Sequence, residues 1–222
     1  GKVFTEGGKR LIEFAQLKNT CINSSQNGYG TELASILQAM EEQTLIPADQ
    51  MKAHFWDVFI VDALLGNFDR HNGNWGILVD EERQTAEIAP VYDCGSCLYP
   101  QLGTQEMEAV LNDESEINRR IHEYPTSAIM DGGAKISYPR FIASLQNEDC
   151  NQALERISAR IDMARIETLI QQTPGLLSIQ RDFYGIMIRA RKEQILDCGM
   201  EQLLRAREQR PDGPVEQGMT LL

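Results

Sequence analysis

A mostly α fold, α+β overall, with a small β-hairpin at its functional edge is what this 222-residue sequence predicts, on three observations. Phe55, Trp56, Val58, Phe59, Val61, Leu64 and Leu65 form an apolar run that stops at Gly66, the pattern of a largely buried helix with a glycine end. Trp75-Gly-Ile-Leu-Val and Thr85-Ala-Glu-Ile-Ala are two short strand-prone stretches joined by the charged turn Asp80-Glu-Glu-Arg-Gln, a hairpin signal. From about Leu176 to Glu208, Phe183, Met187, Ala190, Leu196, Met200, Leu203 and Leu204 recur at near-helical spacing, which makes the stripe core packing first and a partner surface second.

Taken in chain order, Thr31-Glu-Leu-Ala-Ser-Ile-Leu predicts a helix entered after Gly30. The buried helix around residues 55–65 follows, then a tight loop, then the hairpin, which carries the chain away from that loop and back to Asp93. Segment 98–138 reads as irregular, with Pro100, Pro125 and Gly132-Gly133, and with short helices around Gln105 to Leu111 and Ser115 to Tyr124. Pro139 suits a helix start, Asn147 or Asp149 a helix cap, and Pro174-Gly175 separates that helix from the long final one. One domain over residues 1–209 with a frayed tail over residues 210–222, rich in Pro and Gly, is the expected organisation.

Composition narrows the function classes. A hydrophobic content of 42% is enough to bury a core, and the net charge of −12 argues against wrapping nucleic acid while leaving a basic partner open. Asp57 and Asp62 interrupt even the greasiest helix, so no stretch approaches membrane-spanning length. Cys21, Cys94, Cys97, Cys150 and Cys198 are an odd, scattered set with no leader sequence, the usage of a cytoplasmic protein with reduced thiols. Cys94-Gly-Ser-Cys97 is the exception, since two thiols three apart form a redox pair or half a zinc site in other proteins. No second pair exists, His54, His71 and His122 lack metal spacing, and Tyr99-Pro100 breaks the chain where a redox helix would run, so incidental thiols are the preferred reading.

Phe68-Asp-Arg-His-Asn-Gly-Asn-Trp-Gly and Ala89-Pro-Val-Tyr-Asp-Cys-Gly-Ser carry the chemistry. Phosphoryl transfer needs one carboxylate to position the attacking hydroxyl and take its proton, plus an amide oxygen and a second carboxylate to hold Mg²⁺ against nucleotide phosphates. Asp69, Asn74 and Asp93 are those residue types. The order helix, loop, hairpin, acidic turn is that of kinase C-terminal lobes. His71 either supports the loop backbone or approaches the transferred phosphate. Arg70 neutralises nearby carboxylates or phosphate, with a plain surface arginine as the bland alternative.

Leu65-Gly-Asn-Phe-Asp-Arg-His-Asn-Gly-Asn and Pro90-Val-Tyr-Asp-Cys-Gly-Ser resemble the catalytic and metal-binding segments of HipA-like serine/threonine kinases, relatives of the phosphatidylinositol-kinase-like group. Leu11-Ile-Glu-Phe-Ala-Gln with Asn27-Gly-Tyr-Gly-Thr-Glu-Leu-Ala is similar to the family's short helix and glycine turn preceding another helix. Pro139-Arg-Phe-Ile-Ala-Ser-Leu and Ala153-Leu-Glu-Arg-Ile match later helices more loosely. The likeness spans roughly residues 10 to 170 and is specific between 64 and 98.

The resemblance implies a protein-kinase-like C-terminal lobe that uses ATP and Mg²⁺, with a protein substrate. By that implication Asp69 is the catalytic base or hydroxyl-positioning group, His71 and Asn74 belong to the catalytic loop, and Asn74 and Asp93 are the metal and cofactor ligands. It also extends to a bacterial toxin–antitoxin pair, although no antitoxin-binding feature is readable. Cys94 stands where many kinases have phenylalanine, which leaves no aromatic switch at this turn.

No glycine-rich loop with a following strand lysine precedes Asp69; Gly7-Gly-Lys and Asn27-Gly-Tyr-Gly both lack the six-residue glycine pattern. The chain therefore reads as a lobe without its N-terminal nucleotide-covering partner, and as inactive or weakly active alone. Gly1 in the initiator position suits a tag remnant on an expressed domain, and a naturally shortened chain fits it too. Two other classes stay open: a catalytically dead lobe used for protein binding, and a lipid or small-molecule kinase.

Overall fold

The computed structural model describes residues 8–22 and 26–209; the tail expected to fray from Arg210 lies outside them. The elements are β1 (Lys9–Glu13), α1 (Phe14–Cys21), α2 (Leu33–Glu42), α3 (Ala48–Leu65), β2 (Gly76–Asp80), β3 (Thr85–Ile88), α4 (Thr104–Leu111) and α5 (Glu114–His122). A two-residue pair follows, β4 (Met130–Asp131) and β5 (Ala134–Lys135), then α6 (Tyr138–Ser144), α7 (Glu148–Ser158), α8 (Met163–Gln172) and α9 (Ser178–Arg191). A π-helical turn, Lys192–Asp197, joins α9 to α10 (Cys198–Glu208).

α3 is the axis of the fold. Met51, Phe55, Trp56, Phe59, Ile60, Ala63 and Leu64 are buried on several faces, so the helix is enclosed rather than one-sided. Trp56 stacks on Phe141 of α6 at 5.5 Å and Phe59 meets Tyr138 at 5.0 Å, while α7 lies alongside. Each such side chain removed from water contributes roughly 1.5–3 kcal/mol. The stripe of the final helices is mostly core: Phe183, Met187, Leu196 and Leu203 are buried. Leu204 is not, being half exposed, because the π-helical turn shifts the helical phase and buries Ile195 beside Leu196 instead.

Two expectations are corrected. The expected hairpin, β2-β3, is present but belongs to a three-stranded antiparallel sheet, β1-β2-β3, in which Leu11 pairs with Leu78 and Ile77 with Ile88. Residues 9–13 supply the extra edge strand, and the expected short helix begins only at Phe14. Gly76 permits this pairing, since a Cβ there would meet the Ile12 carbonyl oxygen at 2.2 Å. The helix expected between Asn147 and Pro174 is two helices. Asn147 caps α7 by accepting from the Cys150 N–H at 2.8 Å, and Asp162 caps α8 by accepting from the Arg165 N–H at 3.0 Å.

Candidate active site

α3 delivers the loop. Its last turn ends at Gly66 in the left-handed region (φ 65°), and Asn67 N–H returns to the Asp62 carbonyl at 3.0 Å, closing the helix C-terminus. The next residue that faces inward, Asn67, is fully buried and holds three groups at once. Its Nδ2 donates to Asp62 Oδ1 at 2.8 Å, its Oδ1 accepts from Asp69 N–H at 3.1 Å, and its carbonyl accepts from Tyr138 Oη–H at 2.7 Å.

Arg70 is the second clamp, and it is no surface arginine: it is 4% exposed. Nε donates to Asp62 Oδ2 at 3.0 Å and Nη2 to Oδ1 at 3.3 Å, a fork on a carboxylate. Nη1 donates to the carbonyls of Asn74 at 2.8 Å, Tyr92 at 2.6 Å and Asp93 at 3.3 Å. Of the two ligands expected for Arg70, the carboxylate is the one it holds. Burial pushes the Asp62 carboxyl up, against the pull of Arg70 and Asn67; burial also opposes the Arg70 cation, but Asp62 outweighs it and holds the guanidinium above its ordinary value.

Because one nitrogen of Arg70 touches the backbone at 74, 92 and 93, two segments remote in sequence sit side by side. Tyr92 Oη–H adds a second tie, donating to the Gly73 carbonyl at 3.1 Å. Asn74 Nδ2 donates to the Asp69 carbonyl at 2.7 Å, which orients the amide. Asp69 and Asp93 are exposed, and their carboxylates have no partner among the described residues. Asp93 has φ 52°, a left-handed conformation tolerated by Asp and frequent at functional turns.

His71 and Asn72 brace the loop from the β1–α1 side. His71 Nδ1 accepts from the Gly73 N–H at 3.0 Å, the loop-supporting option of the two expected for it, and its ring meets Tyr29 edge-on at 6.4 Å. Asn72 is fully buried; its Nδ2 donates to the carbonyls of Gly28 and Gly30, both at 2.8 Å, and its own carbonyl accepts from Ala15 N–H at 2.8 Å. Lys18 Nζ, buried, donates to the same Gly30 carbonyl at 2.5 Å, and burial pushes its pKa down. The Gly28–Gly30 turn therefore points carbonyls at the loop that carries Asp69 and Asn74. Gly28 is required there: φ is 80°, and a Cβ would fall 1.8 Å from the Ala15 carbonyl oxygen.

Asp69, Asn74, Asp93 and His71 are thus gathered in one place, and of the residues that gather them only Arg70 was singled out by its sequence pattern. Asp62, Asn67, Asn72 and Lys18 are the missed set. The available signal was Asp62 itself: a carboxylate in the last turn of an otherwise apolar helix needs a partner, and Arg70 is the first arginine after it.

The pattern of the HipA-like C-terminal domain matches residues 9–170. The serine/threonine-protein kinase CtkA of Helicobacter pylori is 43% identical over 197 residues, which make up 88% of this chain and 61% of that protein. The chain therefore spans less than two thirds of that relative's length. The crystal structure of a Helicobacter pylori proinflammatory kinase CtkA superposes with a TM-score of 0.90 at 40% identity, covering 93% of this chain and 75% of that one. With a match that runs from the first strand into α8 and a shared fold across its helices, the chain belongs to the HipA-like C-terminal domain family.

Proposed function

We propose that this lobe supports transfer of the ATP γ-phosphoryl group to a serine or threonine hydroxyl of a protein substrate. The observation that carries the reading is the Arg70 clamp, which sets Asn74 and Asp93 beside each other while Asp69 stays exposed at the loop's outer rim. Asp69 orients the acceptor hydroxyl and takes its proton as the new O–P bond forms and the bond to ADP breaks. His71 holds the Gly73 amide and so shapes the loop between Asp69 and Asn74. An exposed Asp69 suits a protein acceptor, and the name of the 43% identical relative supports the same acceptor class.

The donor set fits Mg²⁺. Asn74 Oδ1 and the Asp93 carboxylate are hard oxygen donors, and Mg²⁺ keeps much of its shell as water and phosphate oxygen, so two protein ligands suffice. When bound, the ion neutralises charge on the nucleotide phosphates. Among the described residues no helix is long and apolar enough to cross a membrane. The phosphate-covering loop and its lysine belong, on this reading, to a further lobe; an antitoxin partner rests on family likeness alone.

Mg²⁺-dependent ATP binding by the full-length protein is the test. Asn74→Ala and Asp93→Asn should each weaken it by about tenfold or more, about 1.4 kcal/mol, and unchanged binding in both variants would overturn the assignment. The 222 residues alone should transfer phosphate weakly or not at all. Robust phosphorylation by them alone would contradict the need for a second lobe.

A further inference from the structure

Cys94 and Cys97 take no part in the chemistry above, yet they occupy the turn that carries Asp93. Cys97 N–H donates to the Cys94 carbonyl at 3.2 Å, closing a reverse turn with a cysteine at its first and fourth positions. Such a turn keeps its end Cα atoms within about 7 Å, and a disulfide spans Cα separations of roughly 4.4–6.8 Å. Both thiols are free, and Cys94 is exposed. Cys94 Sγ also lies 3.6 Å from Arg70 Nη2, on the guanidinium whose Nη1 holds the Tyr92 and Asp93 carbonyls.

The backbone around the pair is held under strain. Asp93, Leu98 and Tyr99 have φ of 52°, 59° and 55°, all left-handed for residues other than glycine. Two attachments keep it there: Arg70 on the Asp93 side, and Leu98 N–H on the Leu65 carbonyl at 2.9 Å on the other. Anything that moves Cys94 Sγ therefore acts on the seat of Asp93.

We propose that Cys94 and Cys97 are an oxidisable pair, a modification site whose disulfide unseats Asp93 and loosens the site's hold on nucleotide. This rests on Asp93 as a metal ligand, as argued above. With hydrogen peroxide as oxidant, the Cys94 sulfur attacks one peroxide oxygen; the S–O bond forms, the O–O bond breaks, and hydroxide leaves with the thiol proton as water. The Cys97 sulfur then attacks the Cys94 sulfenic acid; the S–S bond forms, and the displaced hydroxide leaves with the Cys97 proton as a second water. Two thiols lose two electrons, and one peroxide becomes two waters. Closure draws Cys94 Sγ towards Cys97 and off Arg70 Nη2.

The full-length protein is treated with peroxide, its remaining thiols are alkylated, and peptides are mapped by mass spectrometry. A Cys94–Cys97 disulfide reversed by dithiothreitol is expected, with amide exchange across residues 92–98 faster by about tenfold and Mg²⁺-dependent ATP binding weaker by a similar factor. Cys97→Ser should stop at a sulfenic acid on Cys94, trapped by a dimedone probe, without forming the disulfide. If peroxide oxidises exposed Cys198 while Cys94 and Cys97 stay reduced, or if the disulfide forms with exchange at 92–98 unchanged, the proposal is wrong. If the reduced protein shows no Mg²⁺-dependent ATP binding, the metal-site reading and the proposed effect on nucleotide fall together, while mapping and exchange still decide the pair's chemistry and its hold on the turn.

Discussion

The two sides of the loop after α3 are built in opposite ways. On the inner side, Asp62, Asn67, Arg70 and Asn72 are 2%, 0%, 4% and 0% exposed, and their groups are paired apart from Asn72 Oδ1. On the outer side, Asp69 and Asp93 are exposed and their carboxylates are unpaired among the described residues. Asp69 lies between Asn67 and Arg70 in one loop, whereas Asp93 comes from beyond the hairpin and is brought to that loop by Arg70. The difference teaches that position in this loop is held by buried charge and amide, while the Asp69 and Asp93 carboxylates are left facing solvent.

Breaking the inner side should have the largest effect on stability. Arg70→Ala strands the Asp62 carboxylate in the interior and releases the backbone at 74, 92 and 93, so denaturant unfolding should show a loss of about 3–5 kcal/mol. A loss below about 1 kcal/mol would mean that the clamp is dispensable. Asn72→Ala removes two donors from the buried carbonyls of Gly28 and Gly30 and should cost about 1–3 kcal/mol by the same measurement. A neutral result would show that water replaces the amide.

The smallest effect expected sharpens the comparison from within α3. Burial pushes the pKa of His54 down, with Asp57 opposing and Arg70 adding to the shift, so the folded state binds this proton less readily than the unfolded chain. Stability contributed by neutral His54 is present above its unfolded value and is lost as pH falls below about 6.5. His54→Asn should flatten the unfolding midpoint against pH in that range. An unchanged slope would place the titration on another group.

The parts of this arrangement that were legible in the sequence are those with a local signature. The apolar run ending at Gly66 predicts α3 and its stop, and the return of the chain to Asp93 beside the loop that holds Asp69 and Asn74 is legible because a hairpin carries it away and back. β1 was not legible: Leu11, Ile12, Phe14, Ala15 and Leu17 form one apolar stretch, and Lys9–Glu13 shows no alternation of burial that would separate an edge strand from the helix it enters. Arg70 and Lys18 were not legible as buried groups, because what buries them is a partner in space, Asp62 for one and the Gly30 carbonyl for the other. The π-helical turn before α10 escaped for a similar reason, since the buried Arg191 that precedes it at the end of α9 is anchored on the Ala63 and Arg120 carbonyls, far away in the chain.

Asp69→Asn in the full-length protein, assayed at once for protein phosphorylation and for unfolding, tests the division between the two sides most directly. Transfer should fall by about a thousandfold, within the range of a lost general base, while stability stays within about 0.5 kcal/mol, as for an exposed and unpaired side chain. Full activity in this variant, or a loss of stability comparable with that of Arg70→Ala, would contradict the account.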